Sequence, residues 1–387
     1  MIEEKRFIPK YYQLQRALRQ MVEERSLKAG DLMPSENELL KEYKVGKNTI
    51  RHALANLVNE GFLSREQGRG TYVSDPTSAR HGIGNSKQIG VIVPDVTQYF
   101  FPRIVRGIED EAHNQNCHMI LCNNDNDVEK TVFYIHRFVR ENNVIGLIVA
   151  PVQSDSYFDD NTRLIKELNE SGLPFVLIDR YVEDSNADYV LSDNMEGGYQ
   201  ATVHLIKAGH RRIGFMMESE CSTGNDRLRG YKKALSEYGI EFDNTLISAS
   251  TYLMEKAGRF DMEYFLTIPN RPTALFACND LVAKGALEVI KDAGLSVPDD
   301  FALVGYDNLD FSRILDVPLT TVAQPGYEMG QVATQLLMDK IRGNGEKSKK
   351  IILKSKLIVR SSSVFRASQE KSSIRPLAYN KEVLCES

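Results

Sequence analysis

Apolar residues set two different rhythms along this chain of 387 residues. Near the front the spacing is helical. Leu14, Leu18, Met21 and Val22 recur every three or four positions, which predicts a helix from about residue 10 to 25. Gly30-Asp31 marks a turn. Ser35 and Glu38 have the spacing of a capping box, so a second helix opens there and turns Leu39, Leu40 and Tyr43 inward. Val45-Gly46 interrupts the pattern. Ile50, Leu54, Leu57 and Val58 then stripe a third helix over residues 47–59, closed by Gly61. Residues 62–66 and 71–73 read as short strands, and Gln67-Gly68-Arg69-Gly70 between them predicts a hairpin. Three helices and a hairpin make a winged helix-turn-helix over residues 1–75.

Residues 76–87 hold Ser, Gly and Asn without periodicity and read as a linker. From Gln88 a new rhythm begins. Short apolar runs at 89–93, 118–122, 146–149, 175–178, 213–217, 274–277 and 302–304 alternate with helical stretches at 103–115, 128–141, 197–208, 226–238 and 281–293. Strand and helix in alternation demand parallel sheets joined by right-handed crossovers. The stretch from 88 to 366 is too long for one such sheet, so two doubly wound lobes with a cleft between them are expected. The expected fold class is therefore α/β with a winged-helix front. The basic residues 347–354 read as a surface approach to a last strand, and residues 367–387 as a polar tail.

Charge sharpens the division. The net charge of −5 suits a DNA-binding protein poorly until the chain is split. Residues 1–77 carry 13 Lys+Arg against 11 Asp+Glu, and the remainder 35 against 42. Only the front tolerates a polyanion, and there the local arrangement matters more than the total. Lys44, Lys47 and Arg51 have no acid among them, and Arg65 and Arg69 follow. The polar N-terminal end of the third helix suits a major groove, and an arginine at a hairpin tip suits a minor groove or a phosphate. The candidate DNA contacts are Glu36, Asn37, Lys47, Asn48, Thr49, Arg51, Gln67 and Arg69. Glu36, Thr49 and Arg51 have other roles open to them, as capping or salt-bridge residues inside the domain. No secretion signal, membrane span, metal-ligand spacing or cofactor motif is read, and five scattered cysteines fit a reducing cytoplasm.

Three stretches here resemble GntR-type regulators in order and spacing: Pro34-Ser35-Glu36-Asn37-Glu38-Leu39, Thr49-Ile50-Arg51-His52-Ala53-Leu54 and Gly68-Arg69-Gly70-Thr71-Tyr72-Val73. One departure is Gly46-Lys47 where that family usually has Ser-Arg. Lysine has no bidentate fork, so a guanine contact from Lys47 would be less specific. Residues 88–366 resemble LacI-type sensor domains and periplasmic sugar-binding proteins. The resemblance rests on Ser192-Asp193-Asn194, Gly209-His210-Arg211-Arg212-Ile213, Val304-Gly305-Tyr306-Asp307-Asn308 and Leu319-Thr320-Thr321-Val322, among others. A GntR head on a LacI-type body resembles the class of arabinose repressors of Bacillus-type bacteria. That resemblance implies a homodimer on double-stranded operator DNA, released by a monosaccharide such as L-arabinose.

The sugar reading also has a chemical basis. A monosaccharide shows apolar ring faces and a rim of hydroxyls, so its site needs aromatic faces and charged or amide groups that pair buried oxygens. Positions after the expected strands supply them: Gln98, Phe100, Phe101, Asp179, Arg180, Asn279, Asp307 and Gln324, with Arg227 opening a helix. Other roles stand beside these. Asp307 and Asp280 could cap helices, Arg227 could pair with Asp226 or Glu218, and Phe101 could be core. The rival functions are a sugar-binding transport subunit and a repressor that senses a purine or a phosphosugar. An enzyme is not expected, since no phosphate loop, nucleophile elbow or HExxH motif is present.

Overall fold

The computed structural model describes residues 10–364 apart from 26, 44, 60–61, 67–68, 75–86, 98–99, 142, 219–220, 251–253 and 344–347. The expectations for Gly61, Gln67, Gln98, most of the linker, the tail and the Asn48 side chain fall outside the described residues. The chain divides into two units, residues 1–87 and 88–387.

In the first unit, helices α1 (Lys10–Glu24), α2 (Glu36–Tyr43) and α3 (Lys47–Asn59) precede the antiparallel strands β1 (Leu63–Glu66) and β2 (Gly70–Val73). Leu14 and Leu18 of α1, Leu39 of α2, Ile50 and Leu57 of α3, and Leu63 of β1 are all buried in one core. The capping box forms: the Ser35 amide donates to Glu38 Oε2 at 2.8 Å, and the Glu38 amide donates to Ser35 Oγ at 3.3 Å. One feature escaped the periodicity. Residues 30–33 lie along β2, with the Gly30 amide donating to Val73 O at 2.8 Å and the Met33 amide to Thr71 O at 2.7 Å. Gly30 has a φ of +89°, a conformation open to glycine at little steric cost.

The second unit alternates as expected and holds more elements than the apolar runs revealed. Its first stretch is β3 (Lys87–Val93), α4 (Phe101–Asn114), β4 (Cys117–Asn123), α5 (Val128–Glu141), β5 (Leu147–Val149), α6 (Tyr157–Glu170), β6 (Phe175–Ile178) and β7 (Tyr189–Ser192). Then come α7 (Asn194–Lys207), β8 (Ile213–Met217), α8 (Ser222–Glu237), β9 (Ile247–Ala249), α9 (Met254–Thr267), β10 (Ala274–Ala277), α10 (Asp280–Asp292), β11 (Ala302–Asp307) and β12 (Thr320–Ala323). The chain finishes with α11 (Gly326–Ile341), β13 (Lys350–Leu353) and β14 (Lys356–Ile358). Residues 350–353 are thus a strand, where a surface approach was expected. Lysines at the flanks and partial exposure hide an edge strand from a hydrophobicity reading.

Two six-stranded sheets result, in the orders β13-β7-β6-β5-β3-β4 and β14-β12-β11-β10-β8-β9. Strands β3, β5, β6, β7 and β13 run parallel, as do β8 to β12 in the second sheet, with β14 antiparallel at its edge. Each sheet is the centre of one lobe. The chain passes between lobes three times: at Asp193, at Gln324-Pro325 and at Lys354-Ser355. The first and third of these crossings are tied together. The Asp193 amide donates to Leu353 O at 2.7 Å, and Ser355 Oγ donates to Asp193 O at 3.1 Å.

Three helix pairs pack through reciprocal glycines. A Cβ on Gly107 of α4 would sit 2.0 Å from Tyr327 O of α11, and one on Gly330 of α11 would sit 2.1 Å from Ile104 O. The pair α9 and α10 repeats this with Gly258 and Gly285, and α7 and α8 with Gly198 and Gly230. Only a residue without a side chain lets the backbones approach so closely. No described helix is long and apolar enough to cross a membrane.

Candidate functional site

In the first unit the third helix presents its polar N-terminal end as expected. Lys47 and Arg51 are exposed there, Thr49 is half-buried and bonds its amide to Gly46 O at 2.9 Å, and Asn37 on α2 is exposed. Arg69 is exposed in the turn of the wing. Glu36, Arg51, Arg65 and Arg69 line one groove with Leu32, Pro34 and Thr71. Of the roles open to Glu36 and Arg51, an intradomain salt bridge forms: Glu36 accepts from Arg51 Nε at 3.1 Å and from Arg65 Nη2 at 3.0 Å. Slight burial alone would raise the Glu36 carboxyl, but the two arginines override it and hold it below the ordinary range. Both arginine side chains stay 56% exposed, so the shared carboxylate orients them and leaves them accessible to a polyanion.

In the second unit a cavity of about 140 Å³ lies between the two lobes. That is well under the roughly 300–1,000 Å³ of drug-sized sites, so in this conformation it suits a small ligand. Its wall is built from strand ends. Asp179 and Arg180 follow β6, Asn279 follows β10, Asp307 ends β11, and Gln324 lies on a crossing. Phe100 and Phe101 open α4 and meet edge to face at 6.0 Å, with Arg180 6.0 Å above the Phe101 ring. Phe101 is therefore both lobe core and cavity wall. All the expected ligand residues among those described converge on this one cavity.

The charges are held hard. Arg180 Nη1 donates to Asn126 Oδ1 at 2.9 Å and to Pro151 O at 2.8 Å, Nη2 donates to Gln153 Oε1 at 3.3 Å, and Nε lies 3.5 Å from Asp179 Oδ2. Arg227 Nε donates to Asn194 Oδ1 at 2.9 Å and Nη1 to Cys278 O at 2.5 Å, while Nη2 lies 3.8 Å from Asp307 Oδ1. Its guanidinium stacks 3.7 Å above the Tyr306 ring. The expected partners of Arg227 were Asp226 or Glu218. Asp226 instead pairs with Arg229. Nor does Arg227 open its helix: α8 starts five residues earlier, at Ser222, so Arg227 sits in the second turn.

The acids are strained as well as buried. Asp179 and Asp307 have φ of +69° and +102°, in the left-handed region that non-glycine residues enter at a cost and that recurs at functional sites. Burial pushes the Asp179 carboxyl up, and Arg180 and Arg227 only partly offset it. Burial likewise pushes Asp307 up to about 7, against the pull of Arg227 and the bond from Gln324 Nε2 at 2.6 Å. The Oε1 atom of Gln324 is buried without a partner. At the next helix the capping expectation for Asp280 is corrected. Asn279 is the cap, accepting from the Val282 amide at 2.8 Å. Asp280 is fully buried beneath the site and accepts from Thr321 Oγ1 at 2.6 Å and the Leu309 amide at 2.8 Å.

Sequence reasoning missed Asn126, Gln153, Glu218, Cys221, Met254 and Cys278 on the wall. Four of these were within reach. Asn126, Gln153, Glu218 and Cys278 each follow a strand, β4, β5, β8 and β10, by one to four residues. Glu218 joins the lobes, accepting from Gln153 Nε2 at 3.3 Å and from the Met254 amide at 2.6 Å.

Comparison with known proteins agrees with this division. The family described as bacterial regulatory proteins, gntR family, matches residues 10–73, and the periplasmic binding protein-like domain matches residues 202–363. The arabinose metabolism transcriptional repressor of Geobacillus stearothermophilus is 34% identical over 362 residues, which is 92% of this chain and 98% of that protein. The HTH-type transcriptional repressor PurR of Mannheimia succiniciproducens is 33% identical over 281 residues, 72% of this chain and 82% of that protein. The crystal structure of a LacI family transcriptional regulator from Enterococcus faecium with bound ribose is 32% identical, with a TM-score of 0.61, covering 72% of this chain and 99% of that one.

Proposed function

The chain belongs to the bacterial transcriptional repressors that join a GntR-type DNA-binding head to a periplasmic-binding-protein-like sensor, and on that premise we propose that a free pentose or hexose, L-arabinose first, releases it from its operator. Proteins of this family regulate transcription by binding DNA and are not enzymes. In this reading the chain works in the cytoplasm as a homodimer, one winged helix to each half of a near-palindromic site.

One observation carries the ligand class. Two guanidinium nitrogens of Arg180 and two of Arg227 already donate to protein acceptors, leaving Arg180 Nε and Arg227 Nη2 without a hydrogen bond among the described residues, whereas Asp179, Glu218, Asp307 and Gln324 Oε1 offer acceptors. Such a wall favours a molecule rich in O–H donors. It disfavours a phosphate, which would set its negative charge beside the acidic groups of Asp179, Glu218 and Asp307. A polyol ring set against Phe100 and Phe101 satisfies both demands. The name of the Geobacillus relative supports arabinose first, and the ribose in the Enterococcus structure keeps other pentoses in the test.

Calorimetry with L-arabinose, D-ribose, D-glucose, guanine and ribose 5-phosphate tests this reading. Heat from a free aldose supports it. Heat only from guanine or the phosphosugar overturns it. The proposed release adds a second measurement. Whatever factor the sugar takes off operator affinity, a saturating operator duplex must take off sugar affinity. Equal sugar affinities with and without the duplex would break the repressor mechanism even if both sites bind.

A further inference from the structure

A second set of contacts joins the two lobes, and none of its residues lines the cavity. Tyr181 and Glu183 lie between β6 and β7 in the first lobe, and Ser222, Asp226 and Arg229 lie on α8 in the second. The Tyr181 amide donates to Ser222 Oγ at 3.2 Å, and the Tyr181 hydroxyl donates to Asp226 Oδ1 at 3.3 Å. Arg229 then reaches both sides, 3.0 Å from Asp226 Oδ1 and 3.1 Å from Glu183 Oε1. The Tyr181 ring is braced on its own lobe by Tyr189, centroid to centroid 5.6 Å. Elsewhere Arg103 of α4 pairs with Asp310, which follows β11, at 3.1 Å, so the lobes are bridged at more than one place.

The placement of these groups in the chain matters. Arg180 and Tyr181 are neighbours, as are Asp226 and Arg227. In each dipeptide one side chain enters the cavity wall and the other crosses to the opposite lobe. The cavity wall and this second set of contacts are therefore joined through single peptide bonds on each lobe.

We propose that Tyr181, Glu183, Asp226 and Arg229 form an interlobe latch, positioning residues that set how far the sensor is closed before any ligand arrives. Its strength is graded to that role. Arg229 and Glu183 are each about half exposed, and exposed ion pairs contribute little singly. A weak latch leaves both states populated, so a ligand can shift the balance. The apparent ligand affinity then scales with the closed fraction. The binding arm of this proposal rests on the sugar reading above, and its closure arm does not.

The test uses the full chain with Glu183→Arg, Arg229→Glu and the double swap. Spin labels on genetically encoded reactive residues replace Phe158 of the first lobe and Tyr238 of the second, both exposed. Unchanged melting temperatures establish that the variants fold. Without ligand, each single variant is expected to gain a longer-distance population, and the double swap to lose it again. Identical distance distributions in wild type and both single variants overturn the latch. With L-arabinose as the calorimetric probe, Glu183→Arg is expected to raise the Kd by about threefold to tenfold and the swap to restore it. An unchanged Kd in the single variants also overturns the latch. If the distances respond as expected but L-arabinose gives no heat with wild type, the latch is supported and the sugar reading fails.

Discussion

Replacing Asp307 by Asn gives the cavity electrostatics a measurable signature. Moving a carboxyl from 3.8 to about 7 costs its ionised form about 4 kcal/mol in the folded state. The cause is burial, which Arg227 at 3.8 Å and Gln324 at 2.6 Å do not overcome. The sign follows from proton counting. Between roughly pH 4 and 7 the unfolded chain has lost this proton and the folded chain still holds it, so stability falls as pH rises. The contribution is fully present below pH 4 and gone above 7. Across pH 5 to 8 this one group accounts for about 2–3 kcal/mol of lost stability. Asn keeps an oxygen for Gln324 Nε2 and has no proton to lose. Thermal unfolding of both proteins from pH 5 to 8 should show the variant losing less stability, with a differential shift of roughly 4–8 °C. Parallel curves separated by a constant gap would refute the reasoning, because they would mean Asp307 titrates alike in both states.

Arg227→Met removes the bonds to Asn194 and Cys278 O and leaves Asp307 buried without its cation; a loss of roughly 3–5 kcal/mol in stability, with weaker L-arabinose binding by calorimetry, is expected. Gly258→Ala places a methyl 1.9 Å from Val282 O, so α9 and α10 must separate, and the melting temperature should fall by the equivalent of about 1–3 kcal/mol or more. Glu36→Gln releases Arg51 and Arg65 from their shared anion; non-specific DNA affinity at low salt should rise in gel-shift titrations, while head stability changes by under about 1 kcal/mol. Arg69→Ala should cost operator affinity about 1–3 kcal/mol by footprint titration, and an unchanged footprint would remove Arg69 from the DNA contacts.

The head was read almost completely, because its helices are amphipathic and its caps follow local rules. Ser35 and Glu38 act within four residues of each other, so their box is visible in sequence. The strip at residues 30–33 was not, because its partner Tyr72 lies forty residues away and supplies backbone groups rather than a side-chain pattern. In the sensor, buried parallel strands such as Phe175–Ile178 stand out as apolar runs. Short β9, exposed β13 and the apolar-poor α6 do not. The wall residues after strands could be located by one rule, and Phe100, Asp179, Arg180 and Asp307 came from it. The pairing of charges could not. Which acid Arg227 meets depends on how α8 packs against the strand ends of its own lobe, and Asp226, its sequence neighbour, lost to Asp307, eighty residues on.

The three crossings between lobes have a consequence for biosynthesis. The sheet begun by β3 receives its edge strand β13 only from residues 350–353. Helix α11, whose Met329, Ala333 and Leu337 complete the core around Ile104 and Ile108, emerges after every strand of the other lobe but one. On a ribosome adding about 5–20 residues per second, the first lobe waits roughly 10–30 s after β6 with that core uncovered. Neither sheet has its full set of strands until the chain reaches its last crossing. The nascent sensor has to be kept from sticking to its neighbours until nearly all of it is made, and then both halves lock in together.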